Sequence, residues 1–165
     1  MRGSEPATRC TVDALGASAP VGLRGAVVRR CAALTGPAIP PGDYRCRVIK
    51  IGGKSPTMLD YVAYPFFGCR VAEADGVLSF TKLTGSQRPI GTILPETSRR
   101  MVFLGTLQLG DEAMHHHYGR DRERDVAALL ERIGDARWRM VFPYPHFEST
   151  LDVIELVPAP RQAEE

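Results

Sequence analysis

Apolar and polar residues alternate along Tyr44-Arg45-Cys46-Arg47-Val48, so an extended chain puts Tyr44, Cys46 and Val48 on one face and both arginines on the other. Phe67, Cys69 and Val71 repeat the arrangement around Gly68 and Arg70. Two cysteines thus take the inward phase of two strands. Asp75-Gly76 is a hairpin signal between Cys69 to Ala72 and Val77 to Lys82, with Leu78 and Phe80 facing the core. After the loop Thr84 to Pro89 comes a strand from Ile90 to Leu94, ended by Pro95. The longest candidate is Arg100 to Leu109, where Met101, Phe103, Leu107 and Leu109 share one face and Val102, Leu104 and Thr106 the other. It reads as half-buried on both sides.

Residues Asp121 to Phe142 admit two readings. Val126, Leu129, Leu130 and Ile133 fit a helical stripe over 121–133, capped by Asp125 and stopped by Gly134. The alternative is a hairpin that turns through Gly134-Asp135-Ala136 into Arg137 to Phe142, where Trp138, Met140 and Phe142 alternate with polar or outward positions. The hairpin is preferred, because its second arm needs a neighbour to pair with. A last strand, Ser149 to Val157, supplies Leu151, Val153 and Ile154.

About seven or eight short strands with close turns predict an all-β fold, a small antiparallel meander β-barrel over 42–158. Phe80, Phe103, Leu107, Trp138, Met140 and Phe142 line its interior. Residues 1–41, rich in Ala, Gly, Arg and Pro without a sustained period, read as an N-terminal arm of low order. A turn or two of helix fits Ala26 to Leu34 before Gly36-Pro37, and 159–165 form a tail.

Composition narrows the class. At 165 residues, 44% hydrophobic and 24% charged, the chain is expected to hold one core of its own. A net charge of +2 argues against a dedicated nucleic-acid binder. No stretch approaches the roughly 18 apolar residues of a membrane-spanning helix. Glu5 and Asp13 interrupt the start, and Ala14 to Leu23 is too rich in small residues for a convincing signal peptide.

Several separate segments carry a resemblance: Pro40-Pro41-Gly42-Asp43-Tyr44-Arg45-Cys46-Arg47, Leu59-Asp60-Tyr61-Val62-Ala63-Tyr64-Pro65 with Cys69 after it, Lys82 to Pro89, Tyr118-Gly119-Arg120-Asp121, and Trp138 to Pro143. In this order they resemble a bacterial family known as domain of unknown function 4893, over roughly Leu34 to Pro160. The resemblance implies an exported or envelope-associated protein and carries no catalytic residues. Members of that family begin with a signal or lipoprotein segment, which Met1 to Arg30 does not show, so the natural start is expected to differ from Met1.

With export implied, the inward Cys46 and Cys69 are expected to form a disulfide in an oxidising periplasm or envelope; two buried free thiols are the alternative. The four cysteines have no metal-ligand spacing, and no metal or cofactor is expected. His115-His116-His117 reads as a solvated loop that binds metal only adventitiously. Ser86, His146 and Asp152 have the residue types of a nucleophilic triad but no strand-turn-helix elbow, so an enzyme is disfavoured. Arg45, Arg47, Arg70, Arg137 and Arg139 read as a solvated strand face.

The candidate binding loop is Thr84, Ser86, Gln87 and Arg88, joined by Tyr118 and Arg120, whose hydroxyl, amide and guanidinium groups suit a polar ligand at a barrel mouth. Capping of strand ends by the same side chains is the competing account. The function these features favour is an envelope barrel that binds a small apolar or amphiphilic ligand. An interaction or inhibitor-like module that binds an envelope protein through its loops is the second expectation. A hollow interior belongs to the first, a packed interior to the second.

Overall fold

The structure, a computed structural model, describes residues 33–160 together with Val27. Of the predicted helix over Ala26 to Leu34, Val27 is described and is helical, and Ala33 and Leu34 are described and are not; the rest of that span, and most of the arm and tail, lie outside the described residues. Eight strands follow one another: β1 (Gly42–Gly53), β2 (Tyr61–Ala74), β3 (Val77–Lys82), β4 (Gln87–Pro95), β5 (Met101–Leu109), β6 (Asp125–Gly134), β7 (Arg137–Pro143) and β8 (Ser149–Pro158). Each pairs antiparallel with the next, and β8 returns to β1, so the sheet closes into a barrel without a free edge. Residues 121–133 include no helix; β6 and β7 form the preferred hairpin.

The turn chemistry follows the residues. Asp75 and Gly76 have φ of 52° and 76°, the left-handed pair that lets a two-residue turn match strand twist. Tyr64 and Pro65 stand against Val48 alone, between the pairs Arg47↔Phe66 and Ile49↔Ala63. This bulge carries Pro65, which has no N–H for a regular ladder, through a strand longer than its alternation suggests.

Side chains of Tyr44, Cys46, Cys69, Val71, Phe80, Phe103, Leu130, Trp138, Met140, Phe142, Ile154 and Leu156 fill the interior as one cluster. Phe103 meets Phe80 and Phe142 edge to face at centroid distances of 5.8 and 5.9 Å, contacts worth about 0.5–1.5 kcal/mol each beyond their burial. Gly91 and Gly105 face one another across β4 and β5, and the Phe103 ring lies over Gly105 in the space a side chain would take. Cys46 and Cys69 form the disulfide between β1 and β2, both sulfurs inside the barrel.

One end is plugged. Ile39, 2% exposed, enters the core there, Trp138 Nε1 donates to the Ala38 carbonyl (3.2 Å) and the Tyr44 hydroxyl to that of Pro40 (2.7 Å). Gly36 N–H and Leu34 N–H bond the carbonyls of Ser98 and Arg132, which ties the segment under the barrel.

Val153 and Leu151, predicted as core, face outward instead. With Ile49, Ile51, Tyr61, Ala63 and Ile133 they surround Val27 in a second cluster. Beside it runs a ladder of alternating charge. Arg47 pairs with Glu155, which also takes Arg137 (Nε to Oε1, 2.6 Å); Arg139 bonds Glu131 at 2.7 Å and donates to the Val27 carbonyl at 2.8 Å. Glu155, Arg139 and Glu131 are 3, 4 and 6% exposed, so three of these strand-face charges are buried rather than solvated. Of the remaining predicted stripe, Arg70 pairs with Asp43 in solvent and Arg45 lies 5.0 Å from the Phe66 ring centre.

Candidate functional site

The alternation that fills the interior does not end in apolar residues. Following Tyr44, Cys46 and Val48, the next inward position of β1 is Lys50; following Leu78 and Phe80, that of β3 is Lys82; ahead of Ile154 and Leu156 on β8 it is Asp152. All three lie toward the end of the barrel opposite the Ile39 plug. The loops 54–60, 83–86, 110–124 and 144–148 surround that end. Polar groups thus crown a packed core.

Between crown and core lies a pocket of about 60 Å³. Val48, Pro89, Leu107, Val126, Phe142 and Ile154 form its apolar floor and walls. Lys50, Gln87 and Asp152 supply its polar side, and Pro145, His146 and Phe147 cover it from the β7–β8 loop, with Glu123 at the margin. Such a volume admits about four to six water-sized groups, far from a whole lipid. An open groove of about 290 Å³, lined by Met58, Leu59, Val62, Tyr64, Glu148 and Ser149, shares Lys50 with it.

Lys50 uses all three of its donors. It lies 3.1 Å from Asp152 Oδ2, directly across the β1–β8 ladder, 3.1 Å from Glu148 Oε2 and 3.4 Å from Gln87 Oε1. Burial works against its charge, but Asp152 and Glu148 outweigh that and raise its pKa above the ordinary lysine value. Asp152 is held in turn by the Ser149 hydroxyl. Gln87 Nε2 reaches Glu148 Oε1 at 3.5 Å, so Lys50 and Gln87 both direct donors at the Glu148 carboxylate.

Lys82 is different. It is 3% exposed, donates to the carbonyls of Thr84 and Gln87 (2.8 Å each), and lies 3.9 Å from the Phe67 ring centre. Burial, with the nearby charges of Arg88 and Lys50, lowers its pKa to about 8. It fastens the β3–β4 loop from within.

The β7–β8 loop is bent at both ends. Tyr144 and Glu148 have φ of 49° and 65°, a left-handed conformation that costs non-glycine residues energy. Lys54 secures the span by donating to the carbonyls of Pro145 and His146.

Of the predicted loop residues, Gln87 alone lines the pocket. Thr84 Oγ1 accepts from Gly68 N–H, and Arg88 Nη2 donates to the carbonyls of Leu109 and Gly110. Both fasten strand ends. Ser86 is exposed, and its carbonyl accepts from Gly110 N–H. Tyr118 and Arg120 sit on the β5–β6 loop at the same end, exposed, with Arg120 N–H on the His117 carbonyl. His146 and Asp152 do share the pocket, but no hydrogen bond among the described residues joins Ser86 to either. His115 and His117 stack edge to face at 5.9 Å, and no group of three or more potential metal ligands occurs among the described residues.

Fold and site together define a closed eight-stranded antiparallel barrel, plugged at one end and carrying a small pocket with a charged wall at the other. The chain belongs to the family described as Domain of unknown function (DUF4893), whose model matches residues 5–156. None of the curated proteins and none of the solved structures compared with the chain matches it.

Proposed function

We propose that this protein is an exported binding barrel whose mouth receives the apolar part of a small amphiphile. The observation that carries the reading is the pocket: six apolar residues enclose it, while the fixed Lys50–Asp152 pair lies in its wall. The interior is packed up to Phe142, not hollow as this reading called for, so the ligand's place is the pocket at the mouth, with room only for a short chain. The buried Cys46–Cys69 disulfide supports a periplasmic or envelope setting, since such bonds persist in oxidising compartments.

Hexanol titrated into isotope-labelled protein tests the reading. Amide shifts are expected to saturate at Lys50, Leu107, Val126, Phe142 and Asp152, with a dissociation constant on the order of millimolar for so small a ligand. Val126→Phe, which fills the pocket, should abolish them. Shifts that never saturate, or that survive this substitution, refute it.

A second reading has its own observation. Leu59, Met114 and Tyr144 are 73, 81 and 82% exposed on the loops of the same end, an apolar rim of the kind that protein partners cover. An envelope protein docking on that rim would retain its affinity for the Val126→Phe variant.

A further inference from the structure

We infer that the polar end of the ligand is a carboxylate, and that the Glu148 side chain occupies its seat in the unliganded protein. The inference rests on the pocket reading above and adds the ligand's charge. Lys50 Nζ and Gln87 Nε2 approach the two oxygens of one carboxylate, Oε2 at 3.1 Å and Oε1 at 3.5 Å. Both donors also line the apolar pocket. A charged donor and a neutral one at the edge of an apolar cavity form a fitting receptor for a short-chain acid.

Glu148 is the replaceable member of this set. Asp152 faces Lys50 from a paired strand and is held by Ser149, and its side chain is 15% exposed. Glu148 comes from a loop, its side chain is 44% exposed, and its backbone is held at φ 65°. Moving its carboxylate into water breaks a half-exposed ion pair and leaves Lys50, 11% exposed, with Asp152 as its remaining carboxylate partner. An incoming carboxylate on Lys50 restores the lost charge pairing, and because Lys50 is shared by the groove that holds Glu148 and by the apolar pocket, its chain can turn into the pocket. Because Lys50 has no spare donor, acid binding and the Lys50–Glu148 pair exclude one another.

Hexanoate, hexanol and hexylamine, titrated at pH 7 by calorimetry and NMR, test this. Hexanoate should bind at least several-fold tighter than hexanol, and hexylamine weaker than both. Glu148→Gln should tighten hexanoate about two- to fivefold by weakening the internal competitor, and leave hexanol unchanged. In the wild type, the Glu148 carboxyl carbon resonance should move on adding hexanoate but not hexanol. Lys50→Met should remove the preference for hexanoate, with an unchanged circular dichroism spectrum showing that the barrel is folded. N-acetyl-leucine in place of hexanoate distinguishes a peptide terminus from a straight-chain acid as the source of the carboxylate.

Hexanol binding as tightly as hexanoate, or Glu148→Gln leaving hexanoate unchanged or weakened, overturns the carboxylate inference while the pocket reading stands. If no probe binds, both fall.

Discussion

Lys82 Nζ stands 3.9 Å from the centre of the Phe67 ring, inside the barrel, with its hydrogen bonds directed at the backbone carbonyls of Thr84 and Gln87. A buried ammonium held by carbonyls and a ring face pays for its desolvation without the full return of a carboxylate.

This gives stability a pH dependence of known sign. The Lys82 pKa is lowered from 10.5 to about 8. Below pH 8 the amine is charged in both states and the burial penalty is present in full. Between about pH 8 and 10.5 the unfolded chain binds the proton and the folded one does not, so this contribution rises with pH. Lys50 and Tyr44, both with raised pKa, contribute stability that is lost only above about pH 10. Urea unfolding from pH 7.5 to 9.5 should therefore show a rising limb that Lys82→Met flattens. An identical limb in the variant would refute the assignment.

The Cys46–Cys69 bond closes a loop with a sequence separation of 23. Cys46→Ser with Cys69→Ser is expected to cost about 3 kcal/mol, chiefly through the unfolded state, and to lower the urea midpoint with the barrel retained. Circular dichroism during the same titration checks both points.

Glu155 accepts from Arg47 and Arg137 at 3% exposure. Glu155→Gln removes the charge that balances two buried or half-buried guanidinium groups, with an expected loss of about 3–5 kcal/mol. The solvent pair Asp43–Arg70 supplies the control, since Asp43→Asn should leave the midpoint where it is. Equal effects from both substitutions would show that the ladder adds nothing beyond a surface pair.

Gly105 has no room for a side chain. A Cβ there would lie 2.3 Å from the Ile90 carbonyl oxygen and 2.6 Å from Phe103 Cζ. Backbone cannot yield as a flexible side chain does, so Gly105→Ala is expected to destabilise by at least about 1–3 kcal/mol. Gly76→Ala meets no neighbour but is strained by its φ of 76°, and should cost less. Thermal unfolding of the two variants side by side reads the difference.

The alternation of residues by itself determined most of the strands, the Asp75-Gly76 hairpin, the inward phase of both cysteines and most of the aromatic core, while β6 fitted a helical stripe as well as a strand. A period of two decides which face a side chain takes, whatever the strand pairs with. The same phase already marked the polar crown, because Lys50, Lys82 and Asp152 continue the inward positions of three strands, and two of them, Lys50 and Asp152, stand in the pocket wall. Charges there are the signal that a reading confined to apolar residues passes over. Sequence patterning does not show which strand meets which, or where the sheet closes. Lys50 lies 37 positions from Gln87, and Gln87 lies 61 from Glu148, so only ladder register and barrel closure bring the three together. The same holds for Ile39, whose segment has no period to read; on β8 the period of two already opposes Val153 to Ile154, and what the tertiary structure adds is the cover over that outer face, where Val27 packs. Local alternation selects the face of each strand; tertiary closure selects its neighbours, and with them the end of the barrel left open.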